Sequence, residues 1–272
     1  MIPNPSPKPE NHARSLEWYV VAGHTLEATR IAARVPSRPT IVMLHEGLGS
    51  ISQWRNFPEL VAQATGCEVF AYSRYGYGQS DALEDARDAS YMHHEAETAL
   101  PSVLEQARIQ RPILLGHSDG ASISLLFAFR FPDRTAGIIL EAPHVFLEDR
   151  TIEGLAQAAI LYQTTDLPQK LARHHKDADR TFWSWNRVWL DPRFRAWNIE
   201  SCLDDIRCPV LMIQGEDDEY GTVRQLEAIQ SRIPAAQLVL LPNCGHTPHR
   251  EHPEATLARI VAFVERCAKP EA

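Results

Sequence analysis

The sequence predicts an α/β fold on a mostly parallel, doubly wound sheet of about eight strands, and three observations predict it. From residue 39 onward, short β-branched runs alternate with helical stretches. Most of those runs are apolar without interruption, as strands buried on both faces are. One of them, "RPILLGH", ends in Gly-His-Ser-Asp-Gly and turns at once into a helix-like apolar run. Strands alternating with helices imply right-handed crossovers and a sheet covered on both sides.

The elements follow in order. "MIPNPSPKPENHARS" is Pro-rich and polar and lacks the apolar core of a secretory signal, so residues 1–14 are expected to form a flexible arm. "SLEWYVVAG" and "LEATRIAARV" alternate around turn residues and read as an antiparallel hairpin. "PTIVMLHEG" is the first buried strand, followed by a helix from Trp54 to Ala64 and the strand "CEVFAYS". A helix from Tyr91 to Ile109 precedes "RPILLGH", and a helix from Ser118 precedes "TAGIILEAP". Later come "CPVLMIQG", a helix over Thr222–Ile233, "AQLVLLP" and a helix over Glu254–Cys267.

One gap breaks the alternation. Residues 143–206 carry no strand signal, a helical pattern, and four of the six tryptophans: Trp183, Trp185, Trp189 and Trp197. The segment is too long for a plain connection. It divides the expected core, 15–142 and 207–272, and reads as a helical lid inserted after the sixth strand, with aromatic side chains over a pocket.

The serine between two glycines is the chemical signal. A serine hydroxyl is a weak nucleophile until a base takes its proton. In G-x-S-x-G it occupies a strained strand-to-helix turn that holds it clear of its neighbours. Gly116-His117-Ser118-Asp119-Gly120 has that context. The base should be a histidine on a late loop. His246, just after the last strand, is favoured over its neighbours His249 and His252, which sit better at the start of the final helix. The orienting acid should follow the preceding strand, where Glu216, Asp217, Asp218 and Glu219 cluster. The order serine, acid, histidine is that of one fold.

In these residues the chain resembles the α/β-hydrolase superfamily over roughly residues 15–268. "MLHEGLGS" looks like its HG oxyanion loop, "YSRYGYGQSD" like its R-G-x-G-x-S loop, "GHSDG" like its nucleophile elbow and "CGH" like its histidine loop. "GEDD" matches its G-x-x-D pattern, which selects Asp218. S-D-G at the elbow and the G-x-L-G-S loop resemble the serine esterases related to valacyclovir hydrolase. The resemblance implies a triad of Ser118, His246 and Asp218, and an oxyanion hole made by the backbone N–H groups of Asp119 and Gly47. It implies an acyl-enzyme route to hydrolysis of a carboxylic ester or related acyl bond, with no cofactor and no metal.

Two departures bear on the substrate. The family's HG is here His45-Glu46, and Asp119 follows the nucleophile. With Glu141 at the end of the sixth strand, three acids are expected near one pocket. Either each has a local partner, Arg74 being available to Glu46, or they bind a cationic substrate group. Trp183, Trp185 and Trp189 are the expected aromatic part of the substrate site. Other chemistries on the same triad are lactone or thioester hydrolysis, aminopeptidase cleavage and C–C hydrolysis of an aromatic catabolite. A non-catalytic ligand-binding receptor is the competing class.

Bulk properties narrow the partners. A net charge of −8 offers no basic footprint for nucleic acid, and no apolar run approaches the roughly 18 residues a membrane span needs. Five scattered cysteines, none in a C-x-x-C pair, fit reduced thiols in a cytoplasmic protein and no zinc site. The expectation is a cytoplasmic monomer or homodimer acting on a small acyl substrate.

Overall fold

The computed structural model describes residues 14–268, so the expected N-terminal arm lies outside the described residues except for Arg14. β1 (Ser15–Val21) and β2 (His24–Ile31) form the predicted hairpin. Ala22 and Gly23 link them at φ of 50° and 86°, the two-residue turn whose twist matches the strands it joins. The run predicted to continue the second strand to Val35 leaves the sheet after Ile31, and the Arg34 and Val35 N–H groups both donate to the Gly66 carbonyl at 2.9 Å.

Next come β3 (Ile41–Leu44), α1 (Phe57–Thr65) and β4 (Val69–Tyr72). The predicted helix over 91–109 is broken into α2 (Tyr91–His94), a π turn (Glu95–Ala99) and α3 (Leu100–Gln106). Pro101 has no N–H to give to the preceding turn, and the π turn just before it absorbs the misfit. Then follow β5 (Ile113–His117), α4 (Asp119–Arg130) and β6 (Gly137–Glu141). The long insertion holds α5 (Asp149–Thr164), α6 (Leu167–Leu171) and α7 (Ala178–Leu190). The chain closes with β7 (Val210–Gly215), α8 (Arg224–Arg232), β8 (Gln237–Leu241), α9 (Pro248–Glu251) and α10 (Pro253–Cys267).

The eight strands form one sheet in the order β1-β2-β4-β3-β5-β6-β7-β8. β2 runs antiparallel to β4, and every pairing from β4 to β8 is parallel. Alternation along the strands explains the unbroken apolar runs. Ile41, Met43, Ile113, Leu115, Leu211 and Ile213 pack on α1 and α10, whereas Val42, Leu44, Leu114, Leu140 and Met212 pack on the face of α3 and α4. Burying each such side chain contributes roughly 1.5–3 kcal/mol.

The topology decides where a site can form. The chain winds outward from β3 to β4, then crosses back over β3 to β5. At such a switch point the loops leaving the carboxyl ends of neighbouring strands diverge and open a crevice. The loop after β3 carries His45-Glu46-Gly47, and the turn from β5 into α4 carries His117-Ser118-Asp119.

Candidate active site

Ser118 sits between β5 and α4 at φ 52° and ψ −114°, a conformation strained for a residue with a Cβ. Its own N–H donates to the Glu141 carbonyl at 2.9 Å, and its carbonyl accepts from Ala121 N–H at 2.9 Å. The flanking glycines are required by close approach. A Cβ on Gly116 would overlap the Gly120 backbone, and one on Gly120 would overlap the Leu44 carbonyl. The strand and the helix can meet at this turn only without those side chains.

His246 and Asp218 arrive on the loops after β8 and β7. His246 Nδ1 lies 2.8 Å from Asp218 Oδ1. A buried carboxylate there accepts, so the proton belongs on Nδ1 and Nε2 is left with a lone pair. Asp218 also accepts from the Tyr220 N–H at 2.8 Å, the Gly221 N–H at 3.2 Å and Gln214 Nε2 at 3.1 Å. Burial by itself raises the Asp218 pKa, but His246 and these N–H donors hold it well below the ordinary carboxylate range. Asp217 is exposed. His249 and His252 lie on α9 and at its end, and neither lines the cavity with Ser118.

The three other acids have partners inside the protein. Asp119 Oδ2 accepts from Tyr91 Oη at 2.6 Å and lies 3.5 Å from Arg74 Nη2. Trp189 Nε1 donates to Tyr91 Oη at 2.8 Å, so a chain of donors runs from the insertion to Asp119. Arg74, completely buried, also donates to the backbone carbonyls of Glu46, at 2.9 Å, and His45, at 3.2 Å. It was the expected partner of the Glu46 side chain. Instead Glu46 Oε2 lies 3.4 Å from His117 Nδ1. Burial alone lowers a histidine's pKa, but the negative charge of Glu46 outweighs it and pushes His117 up to about 9. His117 in turn holds Glu46 well below the ordinary carboxylate range against its burial.

Glu141 does not reach the pocket as expected. Its carboxylate is buried against His249, accepting from Nδ1 at 2.7 Å and from the N–H at 3.2 Å. The register of β6 is the reason: in a strand, alternate side chains fall on opposite faces, and Glu141 falls on the face of Trp54 and α9. His45 also has a structural role, with Nε2 accepting from the Arg74 N–H at 3.1 Å and Nδ1 donating to the Glu46 carbonyl at 2.7 Å. Burial and the Arg74 charge keep it neutral, well below the usual pKa.

A cavity of about 100 Å³ is lined by Ser118, His246, Glu46, Gly47 and Asp119 together with Leu48, His144, Thr151, Leu155, Trp185, Trp189 and Tyr220. Neither the Gly47 nor the Asp119 N–H forms a backbone hydrogen bond among the described residues. Trp185 presses its indole Nε1 edge onto Gly47, where any Cβ would overlap it. Trp183 does not line this cavity. It borders a separate surface groove, with the Arg187 guanidinium 5.5 Å from its ring centroid. His144 and Tyr220 were not anticipated as lining residues. Burial pushes His144 down to about 4, and its ring lies 5.9 Å from that of His246. Their only sequence signal was a place after β6 and after the acid loop, which twelve histidines and seven tyrosines dilute.

Among the described residues no cluster of three or more His, Cys, Asp and Glu is arranged to hold a metal ion. No described helix is long and apolar enough to cross a membrane.

Comparisons with known proteins bear on the fold and the family. The chain is 24% identical over 271 residues to a proline iminopeptidase of Lactobacillus delbrueckii subsp. bulgaricus, an alignment covering 85% of this chain and 92% of that one. It is 23% identical over 246 residues to a 2-hydroxy-6-oxo-6-phenylhexa-2,4-dienoate hydrolase of Burkholderia cepacia, covering 79% and 84%. The solved dienoate hydrolase of Rhodococcus sp. strain RHA1 superposes with a TM-score of 0.79 at 16% identity, covering 93% of this chain and 99% of that one. The model of the alpha/beta hydrolase family matches residues 41–260, which take in every strand from β3 to β8 and all three loops described above, and the chain belongs to that family of hydrolases.

Proposed function

We propose that the protein is a serine hydrolase that cleaves a carboxylic ester, or a related acyl bond, of a small neutral substrate. The observation that carries this reading is the strained Ser118 sharing one cavity with a His246 whose Nδ1 is bound to buried Asp218. His246 Nε2 accepts the Ser118 proton as Oγ attacks the acyl carbon. Asp218 holds the tautomer and stabilises the imidazolium. The N–H groups of Gly47 and Asp119 stabilise the developing oxyanion. Water then attacks the acyl-enzyme with His246 again as base.

The cavity supports a neutral substrate. No Arg or Lys lines it, so it offers no cation to a carboxylate such as the dienoates after which some relatives are named. Glu46 and Asp119 each already face a cation, His117 at 3.4 Å and Arg74 at 3.5 Å, which leaves less of their charge for a substrate cation. The walls are Leu48, Leu155, Trp185 and Trp189, and 100 Å³ holds on the order of three waters' volume, which suits a compact apolar acyl group. Residues 143–206 act as the lid, since α5 and α7 supply Thr151, Leu155, Trp185 and Trp189 to the cavity.

A hydrolysis panel tests the reading, run with wild type and Ser118→Ala on short and long p-nitrophenyl esters, aminoacyl esters, lactones, thioesters and a dienoate. Short neutral esters should be turned over at least tenfold better than the cationic or carboxylate substrates, and only with Ser118 present. A preference for the dienoate or the aminoacyl ester sinks the neutral-substrate reading, and failure of a fluorophosphonate to label Ser118 sinks the hydrolase reading.

A further inference from the structure

His117 is the last residue of β5, directly before the serine, and its ring is almost completely buried. Nothing in the proposed chemistry uses it. Yet it joins three of the loops that the chemistry needs: the elbow, the histidine loop and the Glu46 loop. It belongs to the elbow itself, one residue before Ser118. Its Nε2 lies 2.8 Å from the backbone carbonyl of His246, so that nitrogen donates. Its Nδ1 lies 3.4 Å from Glu46 Oε2, beside Gly47. A neutral imidazole has one N–H and serves only one of these acceptors. The imidazolium donates to the carbonyl through Nε2 and turns a positive Nδ1–H edge toward Glu46 at ion-pair distance, in keeping with the raised pKa.

We propose that His117 is a positioning residue that, as an imidazolium, ties the histidine loop to the nucleophile elbow and neutralises the Glu46 carboxylate beside the oxyanion hole. The inference rests on Ser118 being the nucleophile. It also accounts for the His45-Glu46 departure. An unneutralised carboxylate next to a developing oxyanion opposes the charge that the hole stabilises. Glu46 is tolerated there because its countercharge is built into the elbow one residue before the nucleophile.

The other groups around His117 do not replace it in this role. Glu141, on β6, adds a negative field but is bound to His249. The His249 ring stands edge-on to His117 at 5.2 Å and the His246 ring is tilted at 5.1 Å. His144 is held neutral by burial, and Asp218 is bound to His246. Trp54 covers the remaining side at 6.4 Å. Only Glu46 faces His117 within ion-pair distance among the described residues.

The test is the second-order rate of Ser118 labelling by a fluorophosphonate, measured from pH 6 to 10.5 for wild type, His117→Gln, Glu46→Gln and the double variant. This readout is independent of the natural substrate. At pH 8, His117→Gln should label about 30-fold more slowly than wild type, and the double variant should recover to within about fivefold, because removing the unneutralised carboxylate relieves the cost. Wild type should slow about tenfold as pH rises through 9, and Glu46→Gln should not. A purely structural histidine would leave the double variant no better than the single. That result, or a His117→Gln enzyme that labels like wild type, overturns the inference alone. If His117→Gln does not fold, the pH profile of Glu46→Gln decides: an alkaline decline equal to that of wild type overturns it. No Ser118 adduct in wild type overturns the hydrolase reading beneath it.

Discussion

Asp218 and Asp119 are both almost completely buried at the carboxyl edge of one sheet, and their surroundings give them opposite uses. Asp218 meets a histidine, two backbone N–H groups and an amide, with no permanent cation among them. Its charge is therefore free to stabilise a proton on His246. Asp119 meets Arg74, which never loses its proton, and Tyr91, which is fixed by Trp189. Its Oδ2 is held by both groups, so its charge faces a permanent cation rather than His246. The partner, rather than the residue type or its nearness to the nucleophile, sets the role of a buried acid.

This contrast is easiest to break at Asp218. Asp218→Asn should leave the fold intact and lower kcat on a short ester about 10³- to 10⁴-fold, because an amide no longer holds the Nδ1–H tautomer. A loss below tenfold would remove Asp218 from the triad. Asp119→Asn should do the reverse. It leaves the buried Arg74 without its counterion and should cost about 3 kcal/mol in denaturant unfolding, while kcat of the folded enzyme stays within about tenfold. An inactive but fully stable Asp119→Asn would end the comparison.

Smaller effects sharpen it. His117 has its pKa raised in the folded state, so its stabilisation is complete below the unfolded value near 6.5 and is lost as pH climbs through about 9. The Tm of wild type should therefore fall by about 5 °C between pH 7 and 10, and by less in His117→Gln. Scanning calorimetry across that range checks the sign. The smallest change separates the two indoles. Trp189→Phe, which loses the N–H to Tyr91, should destabilise by about 1 kcal/mol. Trp185→Phe, whose N–H has no partner among the described residues, should change the preference between short and long acyl esters instead.

Much of the fold was legible because it rests on local patterns. The buried strands showed as unbroken β-branched runs, since each lies between two helical layers. The Gly116-Ser118-Gly120 spacing was legible because no residue larger than glycine fits against Gly120 or Leu44. The break in the helix at Glu95–Ala99 was not read, although Pro101 marks it. At the site, the serine, the histidine and the acid loop are each tied to a strand end, and strand ends can be found from sequence. The acids Glu46, Asp119 and Glu141 were visible as charges, but their partners lie 28 to 108 positions away along the chain for Asp119 and Glu141, and 71 for Glu46. No periodicity encodes contacts at such separations.

By itself, then, the sequence determined the strand–helix alternation, the strained turn at Ser118 and the order in which Ser118, the acid cluster and His246 follow one another. These depend on backbone sterics and on side-chain periods of two and 3.6 residues, which act within a few positions. Only the tertiary structure decided which carboxylate acts on His246 and which are neutralised by Arg74, His117 and His249. Ion pairing inside a protein depends on a few ångströms of separation and on burial, and both are set by how distant strands and loops come together.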